Sequence, residues 1–241
     1  MINIKNTFVD RKKWINTRSS TIFPCYINSK NDQILVFQNY WKWKNNIKDI
    51  SFILTLRYAN SKILDQKTYT VKKHNEISIK RFFNLKTKFS GQIECEIVSK
   101  ENLKFPYPAL LLFYSNSNGF ESTVHSAGRH LNSNENQGSK YTESNFYCIL
   151  NKDFSPIIHV FSGKNLNKKN SIDIEFLDEN NSIILKKKIK NLFTKPLSSK
   201  ILLIEKLLTK NEISKIFDKK FFIKFTFDII NIFGRLIVGN Y

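Results

Sequence analysis

The sequence predicts an all-β protein built from two tandem antiparallel β-sandwich units. Two observations support this fold class. Short apolar segments alternate with polar residues, as half-buried strands do. Five such segments also recur in the same order about 120 residues further along the chain. Roughly seven strands fit in each stretch of about 90–100 residues, which is the size of an immunoglobulin-like or C2-like sandwich.

The proposed boundaries follow from this internal repeat. Residues 1–21 are an N-terminal extension, 22–115 form the first unit, 116–144 form an inserted polar hairpin or loop, and 145–241 form the second unit. The first matched segments are "FPCYINSKNDQILVF" (23–37) and "FYCILNKDFSPIIHVF" (146–161), aligned with one insertion. They place Cys25 on Cys148 and Asn28 on Asn151.

The remaining matches follow in chain order. Residues 52–64 match 172–185, 76–83 match 200–207, 89–97 match 217–225, and 105–112 match 233–238. The third of these alignments places Ile93 on Phe221. In the first alignment, Phe52, Leu54 and Leu56 face one way while Ser51, Thr55 and Arg57 face the other. In its copy, Ile172, Ile174 and Phe176 alternate with Asp173 and Glu175.

Two segments depart from clear strand patterning. The stretch "KILLIEKLL" (200–208) fits either a strand or an amphipathic helix. The stretch "TKNEISKIF" (209–217) carries Asn211 before Glu212, Ile213 and Ile216. A polar residue ahead of apolar residues at helical spacing is typical of a capped helix. We expect a short helix near 210–217.

The formal net charge of +19 points to an anionic partner. The chain is rich in Lys, Asn, Ile and Phe, which is also the usage expected of a genome biased toward A and T. Because the lysines are spread along the whole chain, the charge predicts solvated faces more than a dedicated nucleic-acid surface. We expect an acidic small molecule, a glycan or a protein as partner, with nucleic acid as an alternative.

The three cysteines, Cys25, Cys95 and Cys148, are widely spaced within apolar runs. They match neither zinc spacing nor a disulfide framework, so we expect buried free thiols in a reducing cytoplasm. The N-terminal sequence lacks the apolar core of a signal peptide. The most apolar stretch, 221–241, is interrupted by charged residues, so no transmembrane segment is predicted.

The insertion holds the first candidate site, in "VHSAGRH" (124–130). His125 and Arg129 are four residues apart, which puts them on one side of a helix or a strand. An imidazole and a guanidinium together suit a carboxylate or phosphate, and Ser122 is close enough in sequence to assist. The alternative is that both side chains bind backbone carbonyls and hold the insertion in place.

Metal and cofactor chemistry is not predicted. His125 and His130 are five residues apart, a spacing that converges on one ion in neither a helix nor a strand. The sequence contains no CxxC, HExxH, glycine-rich phosphate loop or dinucleotide motif. We therefore expect no metal and no cofactor.

A second candidate site is "NYWKWKNN" (39–46), in which aromatic and basic residues alternate. Tyr40, Trp41 and Trp43 can stack on sugars or bases while the lysines hold phosphates. The segment is also typical of the end of a strand, with Trp41 and Trp43 on one face in the core or at its rim.

Taken together, the sequence favours a non-catalytic module that binds an acidic or phosphorylated ligand through His125, Arg129, Ser122 and the aromatic segment. The first alternative is a small enzyme that uses His125 as acid or base together with His159 or His130. It requires these imidazoles to meet at hydrogen-bonding distance. The second alternative is a nucleic-acid-binding protein, which requires one continuous basic surface.

Overall fold

The computed structural model describes residues 18–71, 75–103, 110–116, 119–125, 140–163, 166, 170–228 and 237–240. In these ranges the protein is all-β, with fifteen strands in four antiparallel sheets and four short helices. None of the described helices is long and apolar enough to span a membrane.

The strands fall into two compact units, and the turn at Tyr58–Lys62 groups with the second. The strands of the first unit are β1 (Arg18–Ile27), β2 (Asp32–Phe37), β3 (Ile50–Tyr58), β4 (Ile63–Thr70), β5 (Asn75–Ser78), β6 (Phe89–Ser99), β7 (Leu110–Asn116) and β8 (Gly119–His125). Those of the second are β9 (Lys140–Ile149), β10 (Pro156–Phe161), β11 (Ser171–Leu177), β12 (Ile183–Lys190), β13 (Ser199–Leu203), β14 (Lys220–Asp228) and β15 (Ile237–Asn240). The helices are α1 (Tyr40–Asn45), α2 (Ile79–Phe82), α3 (Ile204–Leu207) and α4 (Lys210–Ile216).

The first unit contains two four-stranded sheets around one hydrophobic core. Sheet 1A has the order β1-β6-β3-β4, and sheet 1B has the order β5-β2-β7-β8. Phe23 and Phe52 from sheet 1A and Leu35 and Leu112 from sheet 1B belong to the same buried cluster. This sandwich-like arrangement follows from the alternation, because every second residue of these strands faces inward.

Two strands of the first unit extend beyond the boundaries expected from the sequence. β1 begins at Arg18, within the predicted extension, and pairs along its whole length with β6. β8 lies within the predicted insertion, where it forms a hairpin with β7 and the edge strand of sheet 1B. β9 likewise begins inside the predicted insertion, at Lys140.

The second unit repeats the layout with one strand fewer among the described residues. Sheet 2A has the order β12-β11-β14-β9, and sheet 2B has the order β13-β10-β15. Its core takes Ile174 and Phe225 from sheet 2A and Val160 and Leu202 from sheet 2B. When the strands of each unit are numbered from its own first strand, both units have the order 4-3-6-1 in one sheet and 5-2-7 in the other. Sheet 1B has β8 in addition, next to its strand 7.

Local irregularities of the two units also coincide. The hairpins β3–β4 and β11–β12 each contain a bulge, after Leu56 and after Phe176. Each hairpin turns through a residue with positive φ, 74° at Ser61 and 62° at Asn181. Neither is a glycine, and an asparagine accepts this conformation more readily than other side chains.

The predicted helix is present as α4. Its N-cap is Thr209, two residues before the expected Asn211. Thr209 and Glu212 form a reciprocal capping box, in which the Thr209 Oγ1 accepts from the Glu212 N–H and the Glu212 carboxylate accepts from the Thr209 N–H. The segment "KILLIEKLL", which fits either a strand or a helix, divides into β13 and α3.

The carboxylates of Glu94 and Glu96 lie on the outer face of sheet 1A, yet both are buried. The Nε and Nη2 of Arg57 donate to the Glu94 carboxylate at 2.9 and 2.8 Å, and Glu96 pairs with Arg18. Both Arg57 nitrogens donate to the same oxygen, Oε2, so a charged guanidinium satisfies a carboxylate that has little access to water. The predicted buried free thiols are confirmed at Cys25, Cys95 and Cys148.

Candidate functional site

The aromatic and basic segment 39–46 is a helix, and the expected strand end is therefore wrong. Asn39 caps α1, its Oδ1 accepting from the Lys42 N–H at 3.0 Å, and Asn46 closes the helix with φ 54°. Residues two apart on a helix point about 200° apart. Trp41 is consequently fully buried, whereas 53% of Trp43 is exposed.

The two tryptophans therefore have different roles. Trp41 packs into the core, with its ring centroid 6.1 Å from that of Phe37. A ligand in solvent cannot reach it. Trp43 instead contacts Tyr40 edge to face, with centroids 5.8 Å apart, and the Lys44 Nζ lies 5.0 Å from the Tyr40 ring centroid. We call Tyr40, Trp43 and Lys44 the α1 cluster.

His125 is the last residue of β8 and is exposed. Val124 packs against the core, so its neighbours Thr123 and His125 point to the outer face of sheet 1B. Ser122, three residues before His125, projects to the opposite face. The register of the sheet thus separates Ser122 from His125 and places Thr123 beside it. Arg129 and His130, which the sequence joins to His125, lie outside the described residues.

The α1 cluster and His125 occur at the same end of the first unit. The register pairs Leu111 with both Val36 and His125, so His125 lies two strand spacings, about 10 Å, from Val36. α1 begins four residues after Val36, beyond the end of β2. Two segments about 80 residues apart in sequence are brought to one end of the sandwich by antiparallel pairing.

His159 is enclosed in the second unit, with 3% of its surface exposed. Its ring stacks on Phe161, with centroids 4.6 Å apart. Burial lowers the pKa of His159 to about 3, because the protein interior disfavours the charged imidazolium. A neutral, enclosed imidazole is not placed to exchange protons with a substrate in solvent, so His159 gives the enzyme alternative no support.

A polar depression of about 390 Å³ lies at the opposite end of sheet 1B, lined by Lys30, Lys80 and Arg81 among others. Asp32 borders it but is used internally: its carboxylate accepts from the Ser78 hydroxyl at 2.6 Å and the Lys80 N–H at 3.1 Å. The Lys80 Nζ donates to the Asn28 carbonyl at 2.9 Å. These bonds fasten α2 to the turn between β1 and β2, and sequence reasoning did not find them.

The thiols and the possible metal ligands show no reactive arrangement among the described residues. Burial raises the pKa of Cys148 to about 12 and raises those of Cys25 and Cys95 as well, so all three thiols remain protonated near neutrality. A protonated, buried thiol is a poor nucleophile. Within the described ranges, no three His, Cys, Asp or Glu side chains converge as metal ligands would.

Comparison with known proteins returned no match among family models, curated proteins or solved structures. A fold class on its own hosts many functions, so the arrangement of side chains must indicate the function of this chain. Of the sequence-predicted site residues, Tyr40, Trp43 and His125 lie on the surface at one end of the first unit. Trp41 and His159 are buried, and Ser122 points away from His125.

Proposed function

We propose that this protein is a non-catalytic binding module for an acidic or phosphorylated ligand, either glycan-like or carried on a partner protein. The ligand would bind at the end of the first unit that carries the α1 cluster and His125. The observation that supports this proposal is the exposure of Trp43 next to the Lys44–Tyr40 contact, at the same end as His125.

Each group of this surface has a distinct role in the proposed binding. The exposed ring of Trp43 offers an apolar face on which a sugar ring can lie. Lys44 supplies positive charge for a carboxylate or phosphate, and His125 and Thr123 supply hydrogen-bond donors. The net charge of +19 increases the rate at which an anionic ligand encounters the protein.

The test is isothermal titration calorimetry with four probes: glucose 6-phosphate, glucuronate, inorganic phosphate, and glucose as the uncharged match. We expect a charged probe to bind more tightly than glucose. The variants Trp43→Ala and His125→Ala should each weaken that binding by about tenfold, since each loses one contact of about 1.4 kcal/mol. Arg129→Ala tests the pairing with His125 that the sequence predicts and should also weaken binding.

The control is Tyr147→Ala, which removes an aromatic ring of the second unit with 50% exposure. It should leave the affinity for the charged probe unchanged. The proposal fails if no charged probe binds better than glucose, or if Tyr147→Ala weakens binding as much as Trp43→Ala does.

We also propose that the two units arose by duplication of one sandwich. The shared strand order, the bulges after Leu56 and Phe176, and the positive φ of Ser61 and Asn181 support this origin. An experimental structure provides the test. Strands β1–β7 should superpose on β9–β15 in order, and a different connection between any two corresponding strands would contradict duplication.

A further inference from the structure

The outer face of sheet 2A carries an apolar row that crosses all four strands. Tyr147 pairs with Phe222, Phe222 with Leu177, and Leu177 with Ile183. Directly paired residues share a face of the sheet, so these four side chains form one continuous line. Tyr147 is 50% exposed and Ile183 is 49% exposed. The Tyr147 and Phe222 rings meet edge to face, with centroids 5.7 Å apart.

Lysines border this row on both sides. The Lys220 Nζ lies 6.0 Å from the Tyr147 ring centroid. On the other side, Lys224 and Lys186 both bind the carboxylate of Glu175, at 3.2 Å and 2.7 Å. These lysine hydrogen bonds lower the pKa of Glu175, which keeps that carboxylate charged at neutral pH.

The described side chains of this face carry more positive than negative charge. Lys188 binds Asp173 at 3.1 Å, and Lys190 lies opposite Ser171 in the register. Five lysines thus stand against the two carboxylates of Asp173 and Glu175, which leaves three positive charges in excess. The turn that follows Leu177 adds Asp178 and Glu179, so the positive excess belongs to the strand residues of this face.

The first unit does not share this chemistry, although its strand order is the same. Gln92 pairs with Pro24 as Phe222 pairs with Tyr147, and Glu94 follows two residues later on β6. Gln92 and Glu94 are buried, and Glu94 is paired with Arg57. The basic and aromatic face is therefore particular to the second unit and is not a consequence of the fold.

We propose that the outer face of sheet 2A, defined by Tyr147, Phe222 and the five lysines around them, binds single-stranded nucleic acid. This function is separate from ligand binding at the α1 cluster. Aromatic rings at the surface of a sheet, here the half-exposed Tyr147 and the partly buried Phe222, stack unpaired bases, and lysines on both sides bind the phosphate backbone. An acidic polypeptide would use the lysines but would have no use for the aromatic row.

The experiment measures the fluorescence anisotropy of a labelled twelve-nucleotide oligo(dT) and of an abasic strand with the same length and charge. We expect oligo(dT) to bind at least tenfold more tightly, because only it can stack. Tyr147→Ala should weaken oligo(dT) binding by about tenfold and leave abasic binding nearly unchanged. Phe222→Ala should act in the same direction. If that variant does not fold, Phe222→Leu, which keeps an apolar side chain but loses the ring, should weaken oligo(dT) binding as well.

Two lysine variants distinguish the effect of charge on this face from the effect of the total charge of the protein on binding. Lys188→Gln, on the proposed face, should weaken binding of both strands, whereas Lys88→Gln, on an exposed loop of the first unit, should change neither. The same affinity for the abasic strand and oligo(dT) would overturn the proposal, as would the absence of binding. Tighter binding of polyglutamate than of oligo(dT) would also overturn it and would indicate an acidic protein partner.

The two proposed functions fail independently. Trp43→Ala should leave oligo(dT) affinity unchanged, just as Tyr147→Ala should leave sugar phosphate affinity unchanged. If Trp43→Ala alone abolishes oligo(dT) binding, then nucleic acid binds at the α1 cluster and the proposal for sheet 2A is wrong.

Discussion

Asn28 and Asn151 share the same three turn hydrogen bonds in the two units. The Oδ1 of each accepts from the backbone N–H groups of the second and third residues that follow it. These distances are 2.8 and 2.8 Å for Asn28 and 3.0 and 2.9 Å for Asn151. Each asparagine also donates its backbone N–H to the carbonyl of the third residue that follows, at 3.4 and 3.0 Å. Both therefore close the turn between the first and second strands of their unit.

Replacing either asparagine with alanine should destabilise the protein by about 1–2 kcal/mol, because two backbone N–H groups lose their acceptor. Urea denaturation measures the effect. The matched control is Asn180→Ala on an exposed turn, where the backbone N–H of Asn180, rather than its side chain, binds Asp178. That control should stay within about 0.5 kcal/mol of the wild type. Equal stability of all three variants would contradict the role of the two turns.

Gly91 and Gly239 provide a matched pair for testing strand packing. A Cβ at Gly91 would lie 2.1 Å from the Arg57 carbonyl oxygen, which is backbone and cannot move aside easily. At Gly239 the nearest atom would be the Ile157 Cγ1, at 3.7 Å, an ordinary contact. Gly91→Ala should therefore cost about 3 kcal/mol of unfolding free energy, and Gly239→Ala less than about 0.5. Similar urea midpoints for the two variants would show that β6 and β3 are not packed this closely.

Trp41 and Trp43 should differ sharply when each is replaced with alanine. Trp41→Ala removes a fully buried ring and should lower the free energy of unfolding by about 3–5 kcal/mol. Trp43→Ala removes a half-exposed ring and should lower it by less than about 1 kcal/mol. Chemical denaturation of the two variants measures the difference. If Trp43→Ala destabilises the protein as much as Trp41→Ala, the segment is not the helix described here.

The buried neutral state of His159 makes stability depend on pH. The unfolded chain binds a proton near pH 6.5, but the folded protein does so only at about pH 3. Because the pKa is lowered on folding, the contribution of His159 is fully present above pH 6.5 and is lost as the pH falls toward 3. The loss between pH 7 and pH 5 should be about 2 kcal/mol.

The variant His159→Leu tests this linkage, since it removes the titrating group and retains an apolar side chain. The unfolding free energy of both proteins is measured in urea at pH 7 and pH 5. On going to pH 5, that of the wild type should fall by about 2 kcal/mol more than that of the variant. Parallel losses in the two proteins would mean that His159 is already accessible to protons in the folded state.

The strands themselves were predictable because alternation is a local property of the chain. Phe52, Leu54 and Leu56 are all fully buried within β3, as the spacing of two predicts. Ile172, Ile174 and Phe176 behave in the same way in β11. The helix α4 was also predictable, although the cap was assigned to Asn211 when Thr209 and Glu212 form it.

Strand register was less predictable. The pairing of Phe23 with Ile93 and of Phe146 with Ile223 makes Ile93 correspond to Ile223, two residues from the predicted match with Phe221. A slip of two residues keeps every side chain on the same face, so the apolar pattern fits both alignments equally well. Only the hydrogen bonds between the strands distinguish them.

The candidate site shows a different limit. Alternating aromatic and basic residues predicted a strand end, but Asn39 and Asn46 cap a short helix that separates Trp41 from Trp43. Those two asparagines were the available signal. The row from Tyr147 to Ile183 gave no signal, since its members come from four strands and each looks like an ordinary strand residue.

The sequence by itself determined the all-β class, most of the strands, the helix near 210–217 and the buried free cysteines, because these follow from local patterns of polarity. Tertiary structure alone decided which side chains share a surface. Antiparallel pairing brought the α1 cluster to the same end as His125 and aligned Tyr147 with Phe222, Leu177 and Ile183. Burial then removed Trp41 and His159 from the surface. These outcomes depend on contacts between residues far apart in the chain, and no local pattern encodes them.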